Sequence, residues 1–357
     1  LAQEWPSAPS SGSWDRVVGE IADVGDPTSH WFAVVKSWGD HIAYVIDGDA
    51  GEVRGTMTLS MFSPAIEPHL DAGRIYSYGA FYSRNYYGDR TDVVLMFDAK
   101  TMAPVDEVVI PPKSAGIGHS GMIGLIDGRF VGVWNITPAM SVSIVDVERK
   151  RFVGEISTPG CAGVYQVDGG FLMPCGDGTV QYVALTADGT ERTRTRSRSF
   201  FTIDEDPVFD YAVPSADGWL FLSLEGLVQE VTLQEGVVVV SEPWSILTEE
   251  DREGGWRVGG TQPFAYNAAQ GLLVTLMHQG GGQETFEDAG TEVWGFSLAA
   301  RRRGYRAELD GEARGVQLTR DDKPLLLLSP SGSETLAIHD GLTGRHLRDV
   351  EEIGGGL

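Results

Sequence analysis

The sequence predicts an all-β protein, a β-propeller of six to eight blades, and three observations predict it. The 46 glycines among 357 residues are scattered through the chain, as many short strands with tight turns require. At 42% hydrophobic, the chain can bury a large core. Third, one pattern recurs: a run of Val, Ile, Phe, Tyr or Trp, often ending in Asp, then a turn with Gly or Thr, then a second run. It is clearest around Asp47, Asp98, Asp146 and Asp340, with weaker copies near Val183, Val231 and Ser297. Those seven copies lie between 37 and 66 residues apart. A four-stranded blade needs about 40–50 residues, and closing blades into a ring leaves few exposed edges.

The elements follow in order. The first 25 residues are irregular and read as an N-terminal arm, with the propeller domain running over 26–357. The widest gap between repeats holds a helical insert, Ser245–Trp256, where Ser245 or Thr248 would cap a first turn rich in acids. Gly280–Gly290 reads as a long surface loop. Cys161 and Cys175 lie on two short strand-like runs joined by a Gly-rich turn, which suits either a disulfide or two buried thiols. No run of 18 apolar residues occurs, so no membrane span is expected. The start at Leu1-Ala2-Gln3, without a visible signal peptide, is compatible with a processed mature protein.

Charge excludes one class of partner. With 51 acidic and 27 basic residues the formal charge is −24, which argues against nucleic acid. Such a field attracts cationic small molecules or basic partners, or simply keeps a large protein soluble. Gly116-Ile117-Gly118-His119-Ser120-Gly121 has the spacing of a dinucleotide-binding loop, but Pro111 and Pro112 precede it, no helix pattern follows and no βαβ unit surrounds it. The seven histidines show no metal-ligand spacing, and His339 reads as a strand residue with a backbone partner. No nucleophile elbow occurs. Asn135-Ile136-Thr137 is a glycosylation sequon by its letters only. The residues themselves therefore supply no catalytic set and no metal site.

Five segments, in order, resemble the large subunits of the tryptophan tryptophylquinone amine dehydrogenases, the methylamine and aromatic amine enzymes. Residues 81–113 carry Arg84, Gly88, Arg90, Thr91, Asp92, Asp98, Ile110 and Pro111 at the family's positions. The others are Asn135–Val147, the two-cysteine segment ending Cys175-Gly176-Asp177-Gly178, Glu242–Gln262 and Leu276–Phe296. Ser197–Phe209 and the Pro243–Arg252 stretch lean toward the aromatic amine branch. Three places depart from the pattern: His30–Asp47 matches poorly, Ser297 replaces an Asp, and Asn267 stands where relatives often carry His.

The resemblance implies seven blades. It also implies a periplasmic assembly of two large and two small subunits that oxidises primary amines to aldehyde and ammonia. The quinone and the catalytic base belong to the small subunit, so this chain carries no cofactor, and electrons pass to a small copper protein or a cytochrome. In this chain it implies a substrate-channel gate at Phe62, a Cys161–Cys175 disulfide, and small-subunit contacts at Arg84, Arg90 and Trp256. Trp134, Trp244, Trp256 and Trp294 are then core or interface residues rather than cofactor precursors. The competing reading is a stand-alone propeller that binds a protein or ligand and has no redox role; a propeller with its own quinone or metal would need clustered ligands.

Overall fold

A computed structural model describes residues 23–35, 41–60, 65–112, 120–332, 335–351 and 353. Its strands are all paired antiparallel. The first sheet holds β1 (Trp31–Val35), β2 (Ile42–Asp47) and β3 (Glu52–Thr58). The second holds β4 (Ile66–His69), β5 (Arg74–Arg84), β6 (Tyr87–Asp98) and β7 (Pro104–Ile110). The third is β8 (Ile123–Ile126), β9 (Phe130–Asn135), β10 (Ser141–Asp146) and β11 (Arg151–Ser157). The fourth is β12 (Tyr165–Val167), β13 (Gly170–Pro174), β14 (Val180–Leu185) and β15 (Glu191–Arg196). The fifth is β16 (Val213–Pro214), β17 (Gly218–Leu222), β18 (Leu227–Gln234) and β19 (Val237–Val240), with β20 (Trp244–Ser245) also on β18. The last sheet has eight strands: β21 (Trp256–Val258), β22 (Phe264–Asn267), β23 (Leu272–Gln279), β24 (Gly290–Ser297), β25 (Arg302–Leu318), β26 (Leu325–Pro330), β27 (Leu336–Asp340) and β28 (His346–Val350).

This is an all-β propeller, and it corrects the expected blade count. Among the described residues five sheets are discrete blades, rather than seven, and the last two repeats share the eight-stranded sheet. The cause is β25. Its 17 residues pair with β24 through Arg302–Glu308 and then, from Ala313 to Leu318, with β26. A strand running on without a break fuses two repeats that sequence spacing counts separately.

The repeat has a local physical basis. Each strand-end Asp closes a hairpin by accepting backbone N–H groups ahead of it, an Asx turn. Asp47 accepts from Asp49 and Ala50, Asp98 from Lys100 and Thr101, Asp146 from Arg149, and Asp340 from Leu342 and Thr343, all within 3.0–3.1 Å. The weaker copies use substitutes. Thr186 Oγ1 accepts from Asp188 and Thr190, and Ser297 Oγ accepts from Ala300, each at 3.3 Å. Asn267, a further departure, accepts from Gln270 at 2.8 Å.

Successive sheets pack face to face. Val45 and Met57 of the first meet Val93 and Phe97 of the second; Val94 and Ile110 meet Ile123 and Val133 of the third. The chain's two ends meet where Phe32, Val34 and Ile46 pack on Leu325, Leu327, Ile338 and Val350. That closure carries an ionic clasp. His30 Nδ1 lies 2.9 Å from both carboxylate oxygens of Asp49, and its Nε2 lies 2.7 Å from Asp321.

The helical insert is shorter than expected. α1 (Glu249–Glu253) is capped by Thr248, whose hydroxyl accepts from the Asp251 amide while the Asp251 side chain accepts from the Thr248 amide. Ser245 belongs to β20 instead. The Gly280–Gly290 segment holds a single 3-10 turn, Gln283–Thr285, and ends on the first residue of β24. Of the proposed arm, residues 1–22 lie outside the described residues, and Val24 donates to the Lys100 carbonyl at 2.8 Å. No helix among the described residues is long and apolar enough to cross a membrane.

Candidate functional site

Edge strands of the sheets surround a cavity of about 1300 Å³. Ile66–Pro68 of β4, Gly124 of β8, Gln166 of β12, Pro214 of β16 and Phe264–Tyr266 of β22 all line it. Glu67 projects here beside β8, where the Leu125 N–H donates to its carboxylate. Burial pushes Glu67 up to about 7, against the opposing pull of the Arg320 charge and the Leu125 bond. Tyr78 lines the same cavity; burial drives its phenol well above the ordinary range, and its hydroxyl has no hydrogen-bond partner among the described residues. Among the described residues no group of three His, Cys, Asp or Glu could hold a metal ion.

A ribbon stands at the edge of this cavity. Among the described residues, β4 pairs with β5 from Arg74 to Ser77, and β7 reaches β6 as far as Asp92. Beyond those points the pairing among the described residues is between β5 and β6 themselves, Phe81 with Thr91, Tyr82 with Arg90 and Arg84 with Tyr87. Gly88 is required there: its φ is +94°, and a Cβ would lie 2.3 Å from Ser83 Oγ. The ribbon exposes Phe81, Tyr86 and Tyr87, the last by 74%. Tyr82 and Tyr86 also line the cavity.

The candidate site residues fall in different settings. Phe62 lies outside the described residues. The flanks of its segment are fixed to β5: Ser60 Oγ donates to the Ala80 carbonyl at 2.8 Å, and Ser77 Oγ donates to the Ala65 carbonyl at 2.6 Å. Gly79 permits this approach, since a Cβ there would lie 2.0 Å from Ser60 Cβ. Arg84 is exposed on the ribbon. Arg90 holds Asp92 through two bonds of 2.6 Å. Trp256 is buried in the chain's own core, its ring 5.1 Å from Trp294, so it presents little contact surface. Arg306 lies 4.6 Å over Trp256 and 4.5 Å over Trp294, and Arg303 lies 4.3 Å over Trp294.

Cys161 and Cys175 form a disulfide across an antiparallel bridge. His339 Nδ1 donates to the Gly344 carbonyl at 2.9 Å, the expected backbone partner. Asn135, the first residue of the sequon, is buried with its amide donating to Ser141 and Ser143. Gly116–His119 lie outside the described residues, and Gly121 leads into β8 rather than into a helix. Glu67 and the His30 clasp escape sequence reading. Both depend on residues far along the chain; Asp321 is 291 residues from His30.

Comparison with known proteins agrees with this architecture. The chain is similar to the methylamine dehydrogenase heavy chain of Paracoccus versutus, 28% identical over 348 residues that cover 93% of this chain and 77% of the relative. In fold it is similar to a periplasmic gluconolactonase of Pseudomonas aeruginosa, with a TM-score of 0.60 at 16% identity, covering 91% of this chain and 96% of the other. It is also similar to a β-propeller domain from Myceliophteria thermophila, with a TM-score of 0.53 at 8% identity, covering 86% and 94%. The family model described as methylamine dehydrogenase heavy chain matches residues 22–357. On that match, the chain belongs to the methylamine dehydrogenase heavy chain family.

Proposed function

We propose that this chain is the large subunit of an amine dehydrogenase, a platform that seats a small quinone-bearing subunit and shapes the path of the amine. The observation that carries this is the family match over residues 22–357. In this reading two large and two small subunits assemble in the periplasm, and a copper protein or a cytochrome accepts the electrons. The quinone, tryptophan tryptophylquinone, accepts two electrons from a primary amine and belongs to the small subunit. This chain supplies no catalytic residue; its part is to exclude water around the reacting centre and select the amine by shape.

The exposed aromatic ribbon supports a partner on that side of the cavity. Aromatic and arginine side chains are the types enriched at protein interfaces, and Phe81, Arg84, Tyr86 and Tyr87 are all exposed there. Phe62 is the gate in this reading. Its segment leaves Ser60 and returns at Ala65, both bonded to β5, the strand that leads into the ribbon. The lean toward aromatic amines is part of the same proposal.

Purification with the product of a neighbouring reading frame tests the assembly. The expected result is a coloured complex with a small cysteine-rich chain and amine-dependent dye reduction. A colourless chain that binds no such partner would favour a stand-alone propeller. Phe62→Ala tests the gate: relative kcat/KM among alkyl and aryl amines should shift about 10-fold or more, since apolar pockets discriminate by that order. Unchanged preference across the panel removes Phe62 from the path.

A further inference from the structure

The cavity has two mouths. Each sheet is an antiparallel meander, so residues that precede an inner strand and residues that follow it lie at opposite ends of the cavity. The aromatic ribbon marks one end, because β5 runs on past the start of β4 before it turns into β6. Tyr86 of the ribbon, Ser120 ahead of β8, Asp210 ahead of β16 and Phe286 between β23 and β24 line the cavity there, and all four are exposed.

The far end is open as well. Leu70 follows β4, Pro214 closes β16 and Gln166 lies one residue from the end of β12; all three line the cavity and are exposed. Ser29 is exposed on the same rim, ahead of β1 and beside His30, whose 2.7 Å bond to Asp321 holds it at the turn after β25. Between the rims, Ala33 in the middle of β1 and Gln317 near the end of β25 line the same cavity and are part-exposed. A single cavity of about 1300 Å³ therefore reaches from one face of the ring to the other.

A small subunit seated on the ribbon covers the first mouth and leaves the second open to solvent. We propose that the amine enters along the axis of the propeller, from the far mouth at Ser29, Leu70, Gln166 and Pro214 to the small subunit at the ribbon mouth. This rests on the reading that the small subunit seats on the ribbon. Trp31, Trp219 and Tyr266, each part-exposed, give the wall aromatic surface for an organic tail. The lining carries both signs of charge, with Arg90 already holding Asp92, so the passage sorts amines by width rather than by charge.

Plugging the far mouth tests this. The chain's two cysteines form a disulfide, so an introduced cysteine can be labelled selectively. Gln166→Cys, made in the full complex and coupled to a polyethylene glycol maleimide, should lower kcat/KM about 10-fold or more for each amine that the complex oxidises. The same label on Thr193→Cys, on the exposed strand β15, should leave kcat/KM unchanged. If Gln166→Cys fails to fold, Ser29→Cys on the same rim carries the test. A second readout needs no turnover. Gln317→Cys, inside the passage, should react with 2-aminoethyl methanethiosulfonate, a small ammonium, at a similar rate in the free chain and in the complex. An unlabelled complex without amine-dependent dye reduction would remove the assembly itself. Two results overturn the passage while the assembly stands: an active complex that keeps its kcat/KM under the plug, or a small subunit that blocks the Gln317→Cys reaction.

Discussion

The ribbon beyond Ala80 and the stack around Trp294 are built from the same residue types, aromatic rings with arginines. They are finished differently. In the stack, Trp294 is fully buried, Arg306 holds Glu292 through bonds of 2.8 and 2.9 Å, and Trp294 Nε1 donates to the same Glu292 at 2.6 Å. Arg303 holds the buried Asp251 at 2.9 and 3.0 Å, which ties the rings to the cap of α1. In the ribbon, Phe81 and Tyr87 stay open and Arg84 is exposed. A two-stranded ribbon is marginal by itself in water. The chain therefore closes one aromatic cluster in its core with its own carboxylates and leaves Phe81 and Tyr87 exposed on the other, which separates rings that hold the fold from rings offered outward.

The largest effect should come from breaking the closed cluster. Trp294→Ala removes a fully buried indole and should cost about 3–5 kcal/mol, read as a lower urea midpoint with the slope unchanged. A loss under about 1 kcal/mol would mean the stack is not part of the core. Asp251→Ala should follow at roughly 2–3 kcal/mol, because it deletes a helix cap and leaves Arg303 without its carboxylates. The same urea titration reads it, and Asp251→Asn, which keeps a capping acceptor, should recover part of the loss.

The His30 clasp sharpens the comparison, since it closes the ring by charge rather than by rings. Burial lowers the His30 pKa, but the hydrogen bonds and charges of Asp49 and Asp321 outweigh it, so the net shift is upward. Both ring nitrogens face carboxylates, and only the imidazolium donates from both. Burial raises the Asp321 pKa, and the bonds from Thr319 and His30 more than reverse that. The sign follows from linkage. The His30 contribution is complete below about pH 6.5 and disappears as pH rises through its higher folded value. Asp49 is 66% exposed, so solvent screening limits the gain to roughly 1 kcal/mol. Between pH 6 and 9 the wild type should lose about 1–2 °C more in Tm than His30→Gln. Parallel pH profiles would remove the clasp.

How legible these features were in the sequence depended on how local their causes are. The hairpins at Asp47, Asp98, Asp146 and Asp340 could be read because each Asp bonds amides within three residues. The Thr248 cap has the same short reach, and the cysteines stand only 14 residues apart. The blade count failed at β25. The repeats at Ser297 and Asp340 count as two, but one strand, Arg302–Leu318, joins them and runs through Gly304 and Gly311, the latter at φ +116°. Trp256 was open to either a core or an interface reading because residue type does not fix burial; the rings and arginines around it come from β24 and β25. Glu67 gave no local sign, since its burial is made by β8 of the neighbouring sheet.

The smallest effect on the chain itself should come from the exposed cluster, and it decides between the two uses of aromatic rings. Tyr87 is 74% exposed, so Tyr87→Ser should change stability by less than about 0.5 kcal/mol. If the ribbon seats the small subunit, the same change removes an aromatic anchor from the interface, and such anchors are worth about 2 kcal/mol or more. The expected result is an unchanged urea midpoint with roughly 10-fold or greater weakening of subunit association in sedimentation or titration. Arg84→Ala should act in the same direction. Loss of stability in Tyr87→Ser would show that the ribbon packs within its own chain. Unchanged stability with unchanged association would leave Phe81, Arg84 and Tyr87 as ordinary surface and move the docking site elsewhere around the cavity.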